Sequence, residues 1–325
     1  VLTIMSNSNK HLVIGLDGGG TKTAVVCIDA RTKEVIGSAK VGSTNWNNVG
    51  IESAKKELTE GIKTSVGSRS LSEVAAIVLG MSGVDRPEDK ERVTSWIHEL
   101  FSQDGQKPDI QIGIHNDGVI ALSSGTGGIL YGTVVISGTG MISLGFDKQG
   151  NTLRAGGWGP LLGDRGSGFA IGQDIAYAAV ASHDGRGPHT VLLERMLKFC
   201  NCEKAEQLIP WAYGSNDQKW QKFADLSPLA FQAAREGDKI AIEILESASD
   251  ALALTVSAVI QRLKLTDEEA PLVLAGGNLT HENSILAELL TKKINQKYPK
   301  VKVTKPTVSA EMAAALLAVH QFHIQ

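Results

Sequence analysis

The sequence predicts an α/β protein built from one structural unit used twice. Three observations carry this. Residues 12–126 alternate short β-branched runs with longer helix-forming stretches, the same pattern restarts near residue 132, and each copy opens on two apolar runs joined by a glycine turn. The two turns lie about 120 residues apart, in corresponding places of the two copies. A length of 325 residues suits about two domains, and no Pro/Ser-rich linker separates the halves, so they are expected to pack closely around a cleft.

The elements follow in order. LVIGLD and KTAVVCID flank GGGT as a hairpin between His11 and Ala30, and Glu34 to Val41 extends it into a three-strand meander. A helix is predicted from Ile51 to Val66, a buried strand from Val74 to Gly80, and a helix opening at Pro87, whose ring suits a first helical turn. A strand from Ile110 to Asn116 and a helix from Asp117 complete the first unit. In the second unit GTVVIS and MISLGF form the hairpin around Gly138-Thr139-Gly140, with Asn151 to Ala155 as third strand. A helix-rich insert follows from Ser167 to Leu263, broken near Asp184–Pro188 and Gly214–Asp217. Its last helix, Asp238 to Leu263, carries Ile240, Ile244, Ala248, Ala251 and Thr255 at helical spacing and reads as core or dimer surface. PLVLAGG is a strand, a helix starts near Glu282, VKVT is a short strand, and a helix from Ser309 ends the chain.

Composition narrows the function. Thirty-two basic against 35 acidic side chains give a net charge of −3, which argues against a nucleic-acid surface. Three cysteines, Cys27, Cys200 and Cys202, make neither a CxxC pair nor a disulfide framework, so a reducing, cytoplasmic setting is expected. The opening VLTIMSNSNK lacks the pattern of a secretory signal, and no run of 18 apolar residues predicts a membrane span. None of the 8 histidines sits in HExxH or beside a cysteine pair, so no zinc site is expected.

Glycine is the outlier, at 35 residues, and it is bunched. A tight glycine turn exposes backbone N–H groups around a concavity that accepts anions, because positive φ and close approach of phosphate oxygens leave no room for Cβ. A Walker A loop is excluded, since Thr21 intrudes before Lys22; a dinucleotide fingerprint is excluded, since a strand and not a helix follows the glycines. One such turn alone reads equally as a plain hairpin. A second in the equivalent place, and a third cluster at Ala275-Gly276-Gly277-Asn278, favour a polyphosphate held from both sides.

The motifs Asp17-Gly18-Gly19-Gly20-Thr21-Lys22-Thr23, Asn116-Asp117, Ser137-Gly138-Thr139-Gly140 and Ala275-Gly276-Gly277 resemble the nucleotide-binding elements of the sugar kinase/actin/heat-shock ATPase superfamily. Gly42-Ser43-Thr44-Asn45 and the run Gly156 to Asp164 (GGWGPLLGD) resemble the N-acetylglucosamine kinase family and its BadF/BadG-type ATPase relatives. The likeness spans about residues 12–320. It implies duplicated ribonuclease-H-like, actin-like ATPase domains: an N-terminal lobe of residues 1–124 with 308–325, and a C-terminal lobe of 125–307 carrying the helical insert. It implies ATP and Mg²⁺ as cofactors, a small-molecule sugar and ATP as the partners with no nucleic acid and no membrane, and a homodimer. The expected activity is phosphorylation of N-acetyl-D-glucosamine at its 6-hydroxyl.

Residue by residue, the resemblance implies ATP contacts at Gly18, Gly19, Gly20, Thr21, Gly138, Thr139, Gly140, Ala224, Gly276 and Gly277, and a metal role, through water, for Asp17. It implies sugar contacts at Asn45, Asp117, Gly157, Trp158, Gly159 and Asp164, and makes Asp117 the general base. Plain alternatives stand beside each. Lys22 reads more simply as a solvated turn lysine, Asp117 and Asp164 as helix caps, and Asn45 as a turn residue. Trp158 either stacks on a pyranose face or anchors its loop in the core. His115 either lines the pocket or fills a strand end. Relatives commonly carry Glu where Arg165 stands, which puts the exact hexosamine in question. Other readings are a kinase for glucosamine or another hexose, an activase-type ATPase, which needs cysteine thiolates at a cluster, and a sugar-responsive regulator, for whose helix-turn-helix the ten residues before His11 leave no room.

Overall fold

The structure is a computed structural model that describes residues 10–19, 21–81, 84, 86–102, 108–214 and 219–324. Gly20, one of the expected ATP contacts, lies outside the described residues, as does part of the loop expected at Gly214–Asp217. The chain divides into two compact units, Val1–Leu130 with Pro306–Gln325, and Tyr131–Lys305.

In the first unit, β1 (Leu12–Gly18) and β2 (Lys22–Asp29) form the hairpin, and β3 (Val35–Gly42) pairs antiparallel with β2. β1 is buried through its unbroken LVIGL run, with the terminal helix packed on it, and β4 (Val74–Met81) pairs parallel along its other edge. β5 (Gln111–His115) closes the sheet in the order β3-β2-β1-β4-β5. One helix escapes the sequence pattern. The single turn α1 (Trp46–Val49) precedes α2 (Ile51–Val66), the two separated by Gly50 at φ 81°. α3 (Pro87–Phe101) and α4 (Asp117–Thr126) follow. The terminal helix, Ala310–Gln321, packs on β1 and β4 of this unit. It comes so close that a Cβ on Gly15 would overlap the Glu311 carbonyl oxygen and the Ala315 nitrogen. Ala313, Ala314 and Ala315 are fully buried there.

The second unit repeats the plan. β6 (Gly132–Ser137), β7 (Met141–Phe146) and β8 (Thr152–Gly156) form the meander, and β9 (Pro271–Ala275) and β10 (Lys302–Thr304) join parallel, giving the order β10-β9-β6-β7-β8. Read outward from the meander, both sheets are the same five-strand arrangement, the ribonuclease-H-like order. Between β8 and β9 lie α5 (Gly168–His183), α6 (Leu192–Phe199), α7 (Leu208–Tyr213), α8 (Lys219–Ala224), α9 (Ser227–Arg235) and α10 (Lys239–Arg262). The buried stripe of α10 runs through Ala241, Ile244, Leu245, Ala248, Leu252 and Val256, so Ile240, Ala251 and Thr255 lie on its margin and the expected face is rotated. After β9, a short turn α11 (Gly277–Thr280) precedes α12 (Ile285–Lys297). The helix expected from Glu282 therefore begins three residues later, where the Ser284 side chain accepts from the Ala287 N–H.

Candidate nucleotide and sugar site

The first glycine turn is braced from within its own unit. The Gly19 N–H donates to the Lys22 carbonyl, the Ser43 hydroxyl donates to the Gly19 carbonyl, and the Thr23 and Thr44 hydroxyls pair at 3.0 Å. A Cβ on Gly18 would collide with the Thr44 hydroxyl, so that glycine answers to packing against the Ser43-Thr44-Asn45 corner. Thr21 and Lys22 are exposed, and Lys22 faces solvent as the plainer reading has it. Asn45 caps α1, its side-chain oxygen accepting from the Asn47 N–H at 3.1 Å, which leaves its amide N–H₂ as the end free to donate to a ligand.

Asp17 ends β1, half-buried. Its pKa is raised, first by burial and then by the negative charges of Glu311 and Asp117, with Lys22 opposing. A carboxylate held at such a cost suits a cation that relieves it. Among the described residues no group of three or more His, Cys, Asp or Glu side chains converges as a direct metal cage. That donor set fits a Mg²⁺ ion held mainly by phosphate oxygens and water, with Asp17 beside it. Asp117 opens α4, but the cap is its neighbour: the Asn116 side chain accepts from the Val119 N–H at 3.1 Å. The cap alternative for Asp117 is thereby replaced, since Asn116 already fills that role. His115 donates from Nε2 toward Gln321 Oε1 at 2.9 Å and, held by burial below the ordinary histidine range, is a strand-end residue tied to the terminal helix.

In the second unit the turn after β6 is built by helix α5. The N–H groups of Gly168 and Phe169 donate to the carbonyls of Gly138 and Thr139, and the Gly138 N–H donates to Gly140. Asn278, directly after the third glycine cluster, locks three elements together. Its side-chain nitrogen donates to Ser137 Oγ and the Gly138 carbonyl, and its oxygen accepts from Ser227 at the head of α9. These residues surround a cavity of about 1050 Å³, large enough for a nucleotide, whose walls include Gly138, Thr139, Ala224, Phe231, Arg235 and Gly277. Four of the expected ATP contacts, Gly138, Thr139, Ala224 and Gly277, thus meet in one place. Gly276 adjoins them, with φ 85° and the Ser137 backbone so near that no side chain fits; Gly140 does not line the cavity.

Gly138 and Gly277 are different. Neither takes the left-handed backbone region, and a Cβ on either would meet no protein atom. Nothing in the fold demands glycine at these two positions, and both face the cavity.

The sugar loop also belongs to the second unit. Gly156, Gly157 and Gly159 have positive φ (76°, 70° and 86°), so main-chain groups present themselves without side chains. Asp164 is buried, itself left-handed at φ 52°, and its two carboxylate oxygens accept from the N–H groups of Trp158 and Gly159 at 3.0 and 3.1 Å. The helix-cap reading of Asp164 fails, because Ser167 caps α5 through the Ala170 N–H. Nor does Trp158 anchor its loop in the core: it is 65% exposed, with the Arg154 guanidinium 5.4 Å above its ring. Arg165 is engaged by Asp174 of α5 through two contacts of 3.3 and 2.8 Å, so its charge is balanced locally.

Sequence reasoning named Asn278 in the third glycine cluster without giving its side chain a role, and missed Gln221, Asp225 and Phe231. Asn278 was within reach, because an asparagine after a Gly-Gly turn has both a donor and an acceptor to join neighbouring backbone. Gln221 and Phe231 sit on α8 and α9 and Asp225 in the turn between them, none of them within a motif.

An N-acetyl-D-glucosamine kinase of Dictyostelium discoideum is 45% identical over 324 residues, covering 96% of this chain and 99% of that protein. An N-acetylmuramic acid/N-acetylglucosamine kinase of Clostridium acetobutylicum is 36% identical over 310 residues, covering 94% of this chain and 97% of that protein. The crystal structure of a candidate N-acetylglucosamine kinase from Chromobacterium violaceum superposes with a TM-score of 0.67 at 25% identity, covering 95% of this chain and 99% of that one. With residues 14–318 matched by the family's own sequence model, the chain belongs to the BadF/BadG/BcrA/BcrD ATPase family.

Proposed function

We propose that this protein is an ATP-dependent kinase that phosphorylates N-acetyl-D-glucosamine at its 6-hydroxyl. The observation that carries the nucleotide half is the pair Gly138 and Gly277, kept bare toward a cavity of about 1050 Å³ although the fold asks for glycine at neither. The sugar half is supported by the loop Gly156 to Asp164, whose backbone N–H and C=O groups can read hydroxyls and an acetamide oxygen, and by the kinases to which the chain is similar.

The roles follow from chemistry. Phosphoryl transfer needs phosphate charge neutralised, the acceptor aligned and a place for the hydroxyl proton. In the second unit Gly138, Thr139, Ala224 and Gly277 receive the nucleotide, with Gly140 and Gly276 shaping the turns beside them; Gly157, Trp158, Gly159 and Asp164 receive the sugar. Asp164 does so chiefly by shaping the loop, since both its oxygens are already bonded to backbone. In the first unit Gly18, Gly19, Gly20 and Thr21 serve the phosphates, Asn45 donates to the sugar, and Asp117 takes the hydroxyl proton late in a loose transition state. Asp17 would hold Mg²⁺ through water, and the ion when bound neutralises phosphate charge.

An activase-type reaction is disfavoured by the thiols. Cys27 is fully buried within β2, and Cys200 and Cys202 lie just after α6 in the helical insert, so the three thiols do not gather as a cluster site. The reading includes cytoplasmic residence, in keeping with three unpaired cysteines, and a homodimer, which a solution mass measurement tests. Among the described residues no helix is long and apolar enough to cross a membrane.

The deciding experiment is ADP release with N-acetylglucosamine, glucosamine, glucose and N-acetylmuramic acid, with the phosphorylated carbon assigned by NMR. Asp117→Asn should lower kcat by about 10²–10⁴ while leaving sugar affinity nearly intact. Equal loss of binding and turnover would make Asp117 a holding residue only, and turnover with no sugar in the panel would remove the kinase reading.

A further inference from the structure

In the nucleotide cavity the Thr139 hydroxyl already has a partner. It donates to Gln221 Oε1 at 2.8 Å, and Gln221 Nε2 donates to Asp225 Oδ1 at 2.6 Å. All three residues line the cavity. The direction of this chain is dictated by its last member. An ionised carboxylate only accepts, so Asp225 draws the N–H₂ end of the Gln221 amide and turns the carbonyl end toward Thr139. The hydroxyl there must donate, and it has a single proton.

A phosphate oxygen also only accepts. Gln221 and an incoming phosphate therefore require the same Thr139 proton. Gln221 stays within reach of the turn, because its helix α8 is packed in place while its own side chain is exposed. The Phe169 ring packs edge-on against Trp220 and Phe223 at 5.3 and 5.8 Å, and Gly172 lets the Phe223 backbone approach so closely that a Cβ would overlap it. We infer that Gln221 is a positioning residue that holds the Thr139 hydroxyl proton while the cavity is empty, so that nucleotide binding must transfer this proton's hydrogen bond from Gln221 to a phosphate oxygen. The inference rests on the cavity being the ATP site and adds that this site contains its own competitor, oriented by Asp225.

The consequence runs against ordinary intuition, in which deleting a polar cavity residue weakens binding. Removing Gln221's acceptor frees the hydroxyl, with Leu one atom shorter and Met of the same length. Binding of ADP and of adenosine is measured by calorimetry for the wild type, Gln221→Leu, Thr139→Val and the double variant, with Gln221→Met as a second shape. Gln221→Leu should tighten ADP binding about 2- to 10-fold, the size of one net hydrogen bond, and Thr139→Val should weaken it. In the Thr139→Val background Gln221→Leu should change nothing, and adenosine, which has no phosphate, should bind the wild type and Gln221→Leu alike. Weaker or unchanged ADP binding by both Gln221→Leu and Gln221→Met, a gain that persists without the Thr139 hydroxyl, or an equal gain for adenosine would each overturn the inference. Failure of the wild type to bind ADP or ATP at all would overturn the nucleotide reading itself.

Discussion

At the scale of single residues, Asp17 shows how a site is held at the expense of stability. Its carboxyl is pushed above the ordinary range by burial, with Glu311 and Asp117 adding repulsion. A group with a raised folded-state pKa contributes its full stability below the unfolded value and loses it as pH rises through the folded one. Asp17→Asn should therefore raise the melting temperature at pH 7, leave it nearly unchanged at pH 4 and abolish turnover. An identical gain at both pH values would contradict this account. Gly138→Ala tests the empty space beside the turn. The added methyl meets no protein atom, so the melting temperature should hold while KM for ATP rises several-fold; a stability loss with normal KM would make Gly138 a folding residue. Both aspartates flagged by motif proved to have an asparagine or serine neighbour doing the capping. The residue type was legible there, and the division of labour between neighbours was not, because a cap is decided by which side chain reaches the N–H of the first turn.

At the scale of elements, α10 depends on one aspartate. Burial alone would raise the Asp238 pKa, but the N–H groups of Ala241 and Val191 and the Thr190 hydroxyl outweigh it and hold the carboxyl below its usual range. Asp238 thus caps the longest helix of the insert and fastens it to the segment leading into α6. Asp238→Ala should cost ~1–2 kcal/mol, with Asp238→Asn recovering part of it, read by denaturant unfolding. For the wild type this contribution persists above the usual carboxylate range and is lost as pH falls through the depressed value. A silent Asp238→Ala would mean the two segments hold together without it. The strands of both sheets were evident from β-branched runs ended by glycine. The rotation of the α10 face was not, because a helix rich in Ala, Leu, Ile and Val offers several apolar stripes and its neighbours choose among them.

For the whole molecule, duplication is the organising fact, and the chain's end completes its beginning. The terminal helix packs on β1, some 300 residues earlier in sequence, and on β4, and a Cβ on Gly15 would overlap its backbone. Gly15→Ala should destabilise the first unit by about 1–3 kcal/mol or more, because a methyl there collides with backbone and cannot be relieved by a rotamer change. Calorimetry resolving two transitions should show the loss in one of them; a normal thermogram would show that the helix shifts freely.

The amino-acid pattern by itself determined the two meanders, the repeat and the places of the glycine turns, because strand periodicity and glycine turns are local properties of the chain. Only the tertiary structure decided which glycines answer to packing and which face open space. Gly18 and Gly277 look alike in sequence, but Thr44 crowds one and nothing crowds the other. The same holds for the Thr139–Gln221–Asp225 chain, whose members are separated by up to 86 positions and become one hydrogen-bonded unit only when a helix from the insert folds back onto the turn.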